Sequence, residues 1–260
     1  MDWGMANRMS KLIKQDGRCF YLAMDHGYIM GPTHGLEKPG EMLEKVEPYV
    51  DAIFATRGVI RSAIRSSINA AVILRVSAGA SVVGKNLENE GLGVTVDDII
   101  RMNAQSVGTQ VFIGSDFEHQ TLMALEKLIN ECEPYGIPVM AVTAVGREDQ
   151  KKESRYLSLA CRICAEYGAR VVKTYYCEDF ERIVEGCPVP VVIAGGPKCE
   201  TFLEVLEFVS DGIARGAAGV NLGRNIWQDE NPIGAARALQ AVIHEAMTPK
   251  DAHEVYLSMK

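Results

Sequence analysis

The sequence predicts a single α/β domain, residues 1–260, folded as a (β/α)8 TIM barrel, and three observations predict it. Short apolar runs alternate eight times with stretches whose apolar residues recur every three or four positions. The short runs are apolar on both faces, as parallel strands covered by helices on either side must be. Polar residues and glycines collect at one end of those runs, where barrel enzymes keep their chemistry. An open doubly wound sheet is the alternative home for the same alternation.

In chain order the strands are expected at Cys19–Asp25, Ala52–Thr56, Val72–Val76, Gln110–Gly114, Pro138–Thr143, Ala169–Tyr175, Pro190–Ala194 and Ala218–Leu222. Helical periodicity covers Val96–Val107, Glu118–Tyr135, Lys151–Tyr167, Glu200–Arg215 and Ile233–His244, with Leu122, Leu125, Leu128 and Ile129 forming one apolar stripe. Thr95 and Asp97 are placed to open a helix, and Gly136, Gly168 and Gly216 to close others. The longest irregular stretch, Ser77–Val94, follows the third strand; a loop of that length in a compact domain is usually functional, often a lid.

Of the 260 residues, 47% are hydrophobic and 23% charged, enough to bury a sizeable core. A formal net charge of −7 argues against a nucleic-acid partner, which calls for a basic face, but not against a phosphorylated ligand held by local donors. No apolar run approaches the roughly 20 residues that cross a bilayer, and the N-terminus lacks a secretion signal, so no membrane partner is expected. Seven scattered cysteines read as reduced and the setting as cytoplasmic. Cys161 and Cys164 form a CxxC pair in mid-helix, where core packing explains them better than redox or zinc chemistry.

One residue stands out from its strand. Lys173 lies inside the apolar run Ala169–Tyr176, and a lysine is expensive to bury. Desolvated, its amine is a nucleophile able to form a Schiff base; paired with a buried carboxylate, it is structural. Alternation points Val171, Lys173 and Tyr175 into the barrel, and Arg75 with Ser77 likewise. Such cations need a negative partner, and Asp25 at the end of the first strand supplies it, either tuning Lys173 or, with His26, moving protons. Gly195-Gly196 and Gly223-Arg224 follow strands seven and eight, where barrels commonly hold phosphate against exposed backbone N–H groups. Arg75 and Ser77 are further candidates for binding substrate. Glu118 and His119 could line the site, although an acidic helix start explains Asp116 and Glu118 equally well. No metal-ligand spacing stands out, and lysine chemistry needs no metal.

Asp25-His26-Gly27, Val172-Lys173-Thr174, Ala194-Gly195-Gly196 and Gly223-Arg224-Asn225-Ile226 resemble the archaeal-type class I (Schiff-base) aldolase family. Within it, Ala55-Thr-Arg-Gly-Val-Ile-Arg-Ser62, Met140-Ala-Val-Thr-Ala-Val-Gly146 and Lys173-Thr-Tyr-Tyr176 are similar to a thiolase branch that acts in autoinducer-2 breakdown. The resemblance spans nearly the whole chain. It implies Lys173 as nucleophile and the glycines of strands seven and eight as the phosphate site. It also implies cleavage of a phosphorylated diketone, with acetyl passing to coenzyme A as co-substrate and dihydroxyacetone phosphate leaving. No bound cofactor is implied, and the family forms homo-oligomers, including decamers of two pentameric rings. Aldolase members place a tyrosine at the end of strand five, whereas Val139-Met-Ala-Val-Thr143 has no phenol. Cleavage of fructose 1,6-bisphosphate or a related sugar phosphate is therefore the second expectation, and a non-catalytic barrel binding a phosphorylated ligand the third. Lys85, Arg147, Lys151 and Lys152 are candidate coenzyme A contacts near the rim.

Overall fold

The computed structural model describes residues 1–146 and 153–259. Eight parallel strands close into a barrel, β1 Cys19–Ala23, β2 Ala52–Thr56, β3 Ala71–Arg75, β4 Ser106–Ile113, β5 Val139–Val145, β6 Val171–Tyr175, β7 Val191–Ala194 and β8 Gly219–Leu222. Each pairs with its sequence neighbours, and β8 pairs with β1. All five residues of β1 are at most 1% exposed, which is why the strands read as continuous apolar runs.

The strand register fixes which side chains share a level inside the barrel. From Lys173, advancing one residue at each step around the ring passes through Asn221, Phe54 and Gly108 and returns to Lys173. These four form the middle layer. The same walk gives a floor of Tyr21, Ile73, Met140 and Val192, and an upper layer of Ala23, Arg75, Val142 and Ala194. Three layers of four, contributed by alternate strands, are how an eight-stranded barrel fills its interior. The intervening residues, such as Leu22, Leu74, Ala141 and Ile193, face outward into the core beneath the helices.

Two expectations are corrected. The helix over Val96–Val107 stops at Arg101, and Ser106 and Val107 already belong to β4. Asn103 takes φ of 51°, a left-handed conformation that asparagine tolerates and that turns the chain into the strand. The stretch Ser77–Val94 is not irregular throughout, because Ser77–Ala78 and Gly91–Leu92 pair as a small antiparallel ribbon over the barrel mouth. The expected caps are present: Thr95 accepts from the Asp98 N–H, and Gly136, Gly168 and Gly216 take φ of 61°, 105° and 98°. Cys161 and Cys164 are buried on the inner face of Ser154–Glu166, burial pushing the Cys161 thiol up to about 12, as core cysteines behave.

Candidate active site

Lys173 enters the site from the middle of β6, with a residue exposure of 8%. Its amine lies 5.5 Å from the centroid of the Phe54 ring in the same layer. Burial lowers its value to about 8; Asp25 pulls it up and Arg75 pushes it down. Among the described residues no carboxylate reaches it within ion-pair distance, so it is not locked in a structural pair.

Asp25 stands just past β1, 7% exposed, and its Oδ2 accepts from Arg75 Nη1 at 3.0 Å. His26 Nδ1 lies 3.7 Å from the other oxygen, and its ring packs edge-on against Trp227 with centroids 5.1 Å apart. Burial drops His26 to about 4, overriding the opposing pull of Asp25, so it is neutral at pH 7. Trp227 is fixed in turn by donating from Nε1 to the carbonyl of Ala23 at 3.0 Å.

Arg75 and Ser77 are brought to the site, but their groups are already engaged. Arg75 Nε donates to the Ser77 carbonyl at 3.0 Å, Nη1 to Asp25, and Nη2 to the Tyr28 hydroxyl and to Glu90 at 2.7 Å. Ser77 Oγ donates to the same Glu90 carboxylate at 2.8 Å and accepts from the Gln110 N–H. The Tyr28 hydroxyl donates to the other Glu90 oxygen at 2.6 Å. Arg75 is thus the hub of a buried cluster whose charges are met on two sides.

Beyond β7 and β8 the backbone is built for close approach. Gly196 takes φ of 62°, with open space where a Cβ would project. Arg224 Nη2 donates to the Gly196 carbonyl at 2.6 Å, while its buried Nε has no partner among the described residues. Asn225 braces the turn by donating to the carbonyls of Gly195 and Pro197 and accepting from the Cys199 N–H. Gly223 answers a different need: a Cβ there would meet His26 Cε1 at 2.7 Å and Trp227 Nε1 at 3.0 Å. Lys173 itself pairs with Val192, so Gly195 and Gly196 lie three and four residues further along β7, roughly 11–14 Å from the lysine backbone at 3.3 Å per residue and 4.8 Å per strand.

Other candidates lie apart. Glu118 accepts from the Gly114 N–H as a local cap, and His119 is exposed. Lys85 is exposed on the ribbon segment, and Arg147, Lys151 and Lys152 lie outside the described residues. Sequence reasoning missed Glu90, Tyr28, Trp227, Phe54 and Asn221. Asn221 alone carried a usable signal, being an inward polar residue in an apolar strand as Lys173 is.

Known proteins resemble this chain at two levels, fold and sequence. An archaeal fructose 1,6-bisphosphate aldolase structure aligns with a TM-score of 0.85 at 24% identity, covering 93% of this chain and 99% of its own. A fructose-bisphosphate aldolase from Slackia heliotrinireducens gives 0.88 at 17% identity, covering 99% and 91%. These likenesses are of fold. In sequence, the chain is 45% identical over 262 residues to a 3-hydroxy-5-phosphonooxypentane-2,4-dione thiolase from Photorhabdus laumondii, covering all of this chain and 89% of the relative. It is 44% identical, with the same coverage, to the protein of that name from Escherichia coli K12. The DeoC/LacD family aldolase model matches residues 19–229. The chain belongs to the DeoC/LacD aldolase family.

Proposed function

We propose that this enzyme cleaves 3-hydroxy-5-phosphonooxypentane-2,4-dione through a Schiff base on Lys173, passing the acetyl group to coenzyme A and releasing dihydroxyacetone phosphate. The observation that carries the reading is a desolvated amine with no ion-pair partner among the described residues, on the strand beside the one that ends in the glycine turn held by Arg224. Relatives 44–45% identical over all of this chain bear the name of that thiolase. The neutral amine attacks the carbonyl beside the phosphate-bearing carbon and becomes an imine. The thiol sulfur bonds to the acetyl carbonyl carbon, the bond to the hydroxyl-bearing carbon breaks, and its electron pair enters an enamine on Lys173. The thiol proton ends on that carbon, and hydrolysis of the imine frees the ketone phosphate. His26, neutral at pH 7, suits the proton transfer, while Asp25, tied to Arg75, supplies the charge beside the amine.

Acetyl-coenzyme A formation from the diketone, measured beside Lys173→Ala, tests the reading. The substitution is expected to abolish turnover while leaving the fold intact. Rapid cleavage of fructose 1,6-bisphosphate without coenzyme A would overturn it. Inward positions Val142 and Ala144 on β5 offer no phenol for that aldol reaction.

The reading extends to the setting. Coenzyme A is a co-substrate and no cofactor stays bound. The chain assembles as a homo-oligomer, a decamer of two pentameric rings, for which an 80% exposed Trp3 offers an apolar contact; light scattering on the purified protein checks it. All seven cysteines are free thiols, which suits the cytoplasm. Among the described residues, no helix is long and apolar enough to cross a membrane.

A further inference from the structure

Both polar atoms of the Asn221 side chain, Oδ1 and Nδ2, are buried without a hydrogen-bond partner among the described residues. The residue is 1% exposed. An unpaired amide in a barrel core is costly, and a residue there only to fill space would be apolar, with leucine close in size. The neighbours on β8, Val220 and Leu222, are apolar, fully buried and point outward. The polar exception therefore falls on the one β8 side chain in the middle layer of the barrel.

That layer also holds Lys173. Asn221 sits two strands away from it around the ring, at the same height. The Phe54 ring occupies the space beside Gly108, where a Cβ would come within 2.5 Å of the ring, and the amine rests over that ring. Three of the four positions in the layer are thus committed. The fourth presents a donor and an acceptor with no partner among the described residues, in the same layer as a lysine that has no ion-pair partner among them either.

We propose that Asn221 contacts substrate, its amide holding the oxygen of the carbonyl that Lys173 attacks. The inference rests on the Schiff-base reading above and deepens it. In the attack a carbon–nitrogen bond forms and the carbonyl π pair moves onto oxygen. One amine proton then passes to that oxygen, leaving a neutral carbinolamine. Asn221 Nδ2 donates to the oxygen throughout and keeps its protons, while Oδ1 accepts from the N–H of the adduct. A neutral group suits this place, because Asp25, Arg75 and Glu90 already meet one another's charge.

Borohydride trapping of dihydroxyacetone phosphate on Lys173, followed by intact mass, tests this together with thermal melting. Asn221→Leu is expected to melt at or above the wild-type temperature and to trap the ketone at least tenfold more slowly. Trapping at the wild-type rate would overturn the inference. So would a melting temperature well below wild type, which would show an amide that supports the fold instead. Asn221→Ser and Asn221→Ala give a second decision without the bulk of leucine: the serine variant is expected to keep more trapping than the alanine variant, and equal rates in the two would overturn the inference. Failure of the wild type itself to trap the ketone would strike the Schiff-base reading and take this inference with it; a loss confined to the Asn221 variants supports both.

Discussion

An ordinary lysine at pH 7 keeps only about three molecules in ten thousand as free amine, whereas one titrating near 8 keeps about a tenth. Burial thus hands Lys173 a reactive population of free amine. Because only the neutral form attacks, trapping of a ketone phosphate should rise about tenfold per pH unit below 8 and level off above it, and a rate still climbing steadily at pH 10 would contradict this. Glu90 guards the same balance. Glu90→Ala leaves Arg75 with one carboxylate where it had two, and removing one partner of a buried pair costs about 3–5 kcal/mol. Denaturant unfolding should register that loss, and the trapping midpoint should fall because Arg75 then pushes harder on the amine. Lys173, Asp25 and Arg75 could be picked out of the sequence because charge interrupts or ends apolar strands. Glu90 could not: it lies on the ribbon segment, and only the closed fold carries it to Arg75.

Among elements, β4 sets the shape of the site by what it omits. Gly108 leaves the volume that the Phe54 ring fills beneath the amine. Gly108→Ala would drive that ring from its place, with a stability loss of about 1–3 kcal/mol measurable in urea and a drop in turnover as the ring beside the Lys173 amine shifts. The sequence located all eight barrel strands within a few residues, since buried parallel strands announce themselves as apolar runs. It misplaced the start of β4, because Ile99, Ile100 and Val107 keep helical spacing across the turn that Asn103 makes. The ribbon of Ser77–Ala78 with Gly91–Leu92 was invisible, two residues being too few to show a period.

For the molecule as a whole, the ends of the chain are tied at the barrel's underside by His244. Its ring nitrogens lie 2.7 Å from Asp16 and 3.0 Å from Asp51, and Asp51 also accepts from the Phe20 N–H. Burial alone would lower the imidazole, but its bonds to Asp51 and Asp16 prevail and raise it. A raised value means stability that is full below the ordinary histidine value of 6.5 and lost as pH climbs through the folded one. The gap in melting temperature between wild type and His244→Gln should therefore be wider at pH 6 than at pH 8.5, and a constant gap would refute the charged tie.

The floor of Tyr21, Ile73, Met140 and Val192 is at most 1% exposed. A vessel sealed below has a single doorway, so whatever arrives over the amine must back out along its own path. Two reactants sharing that doorway have to queue, and the narrow passage rather than either bond-making event then dictates who may enter while another guest is still inside.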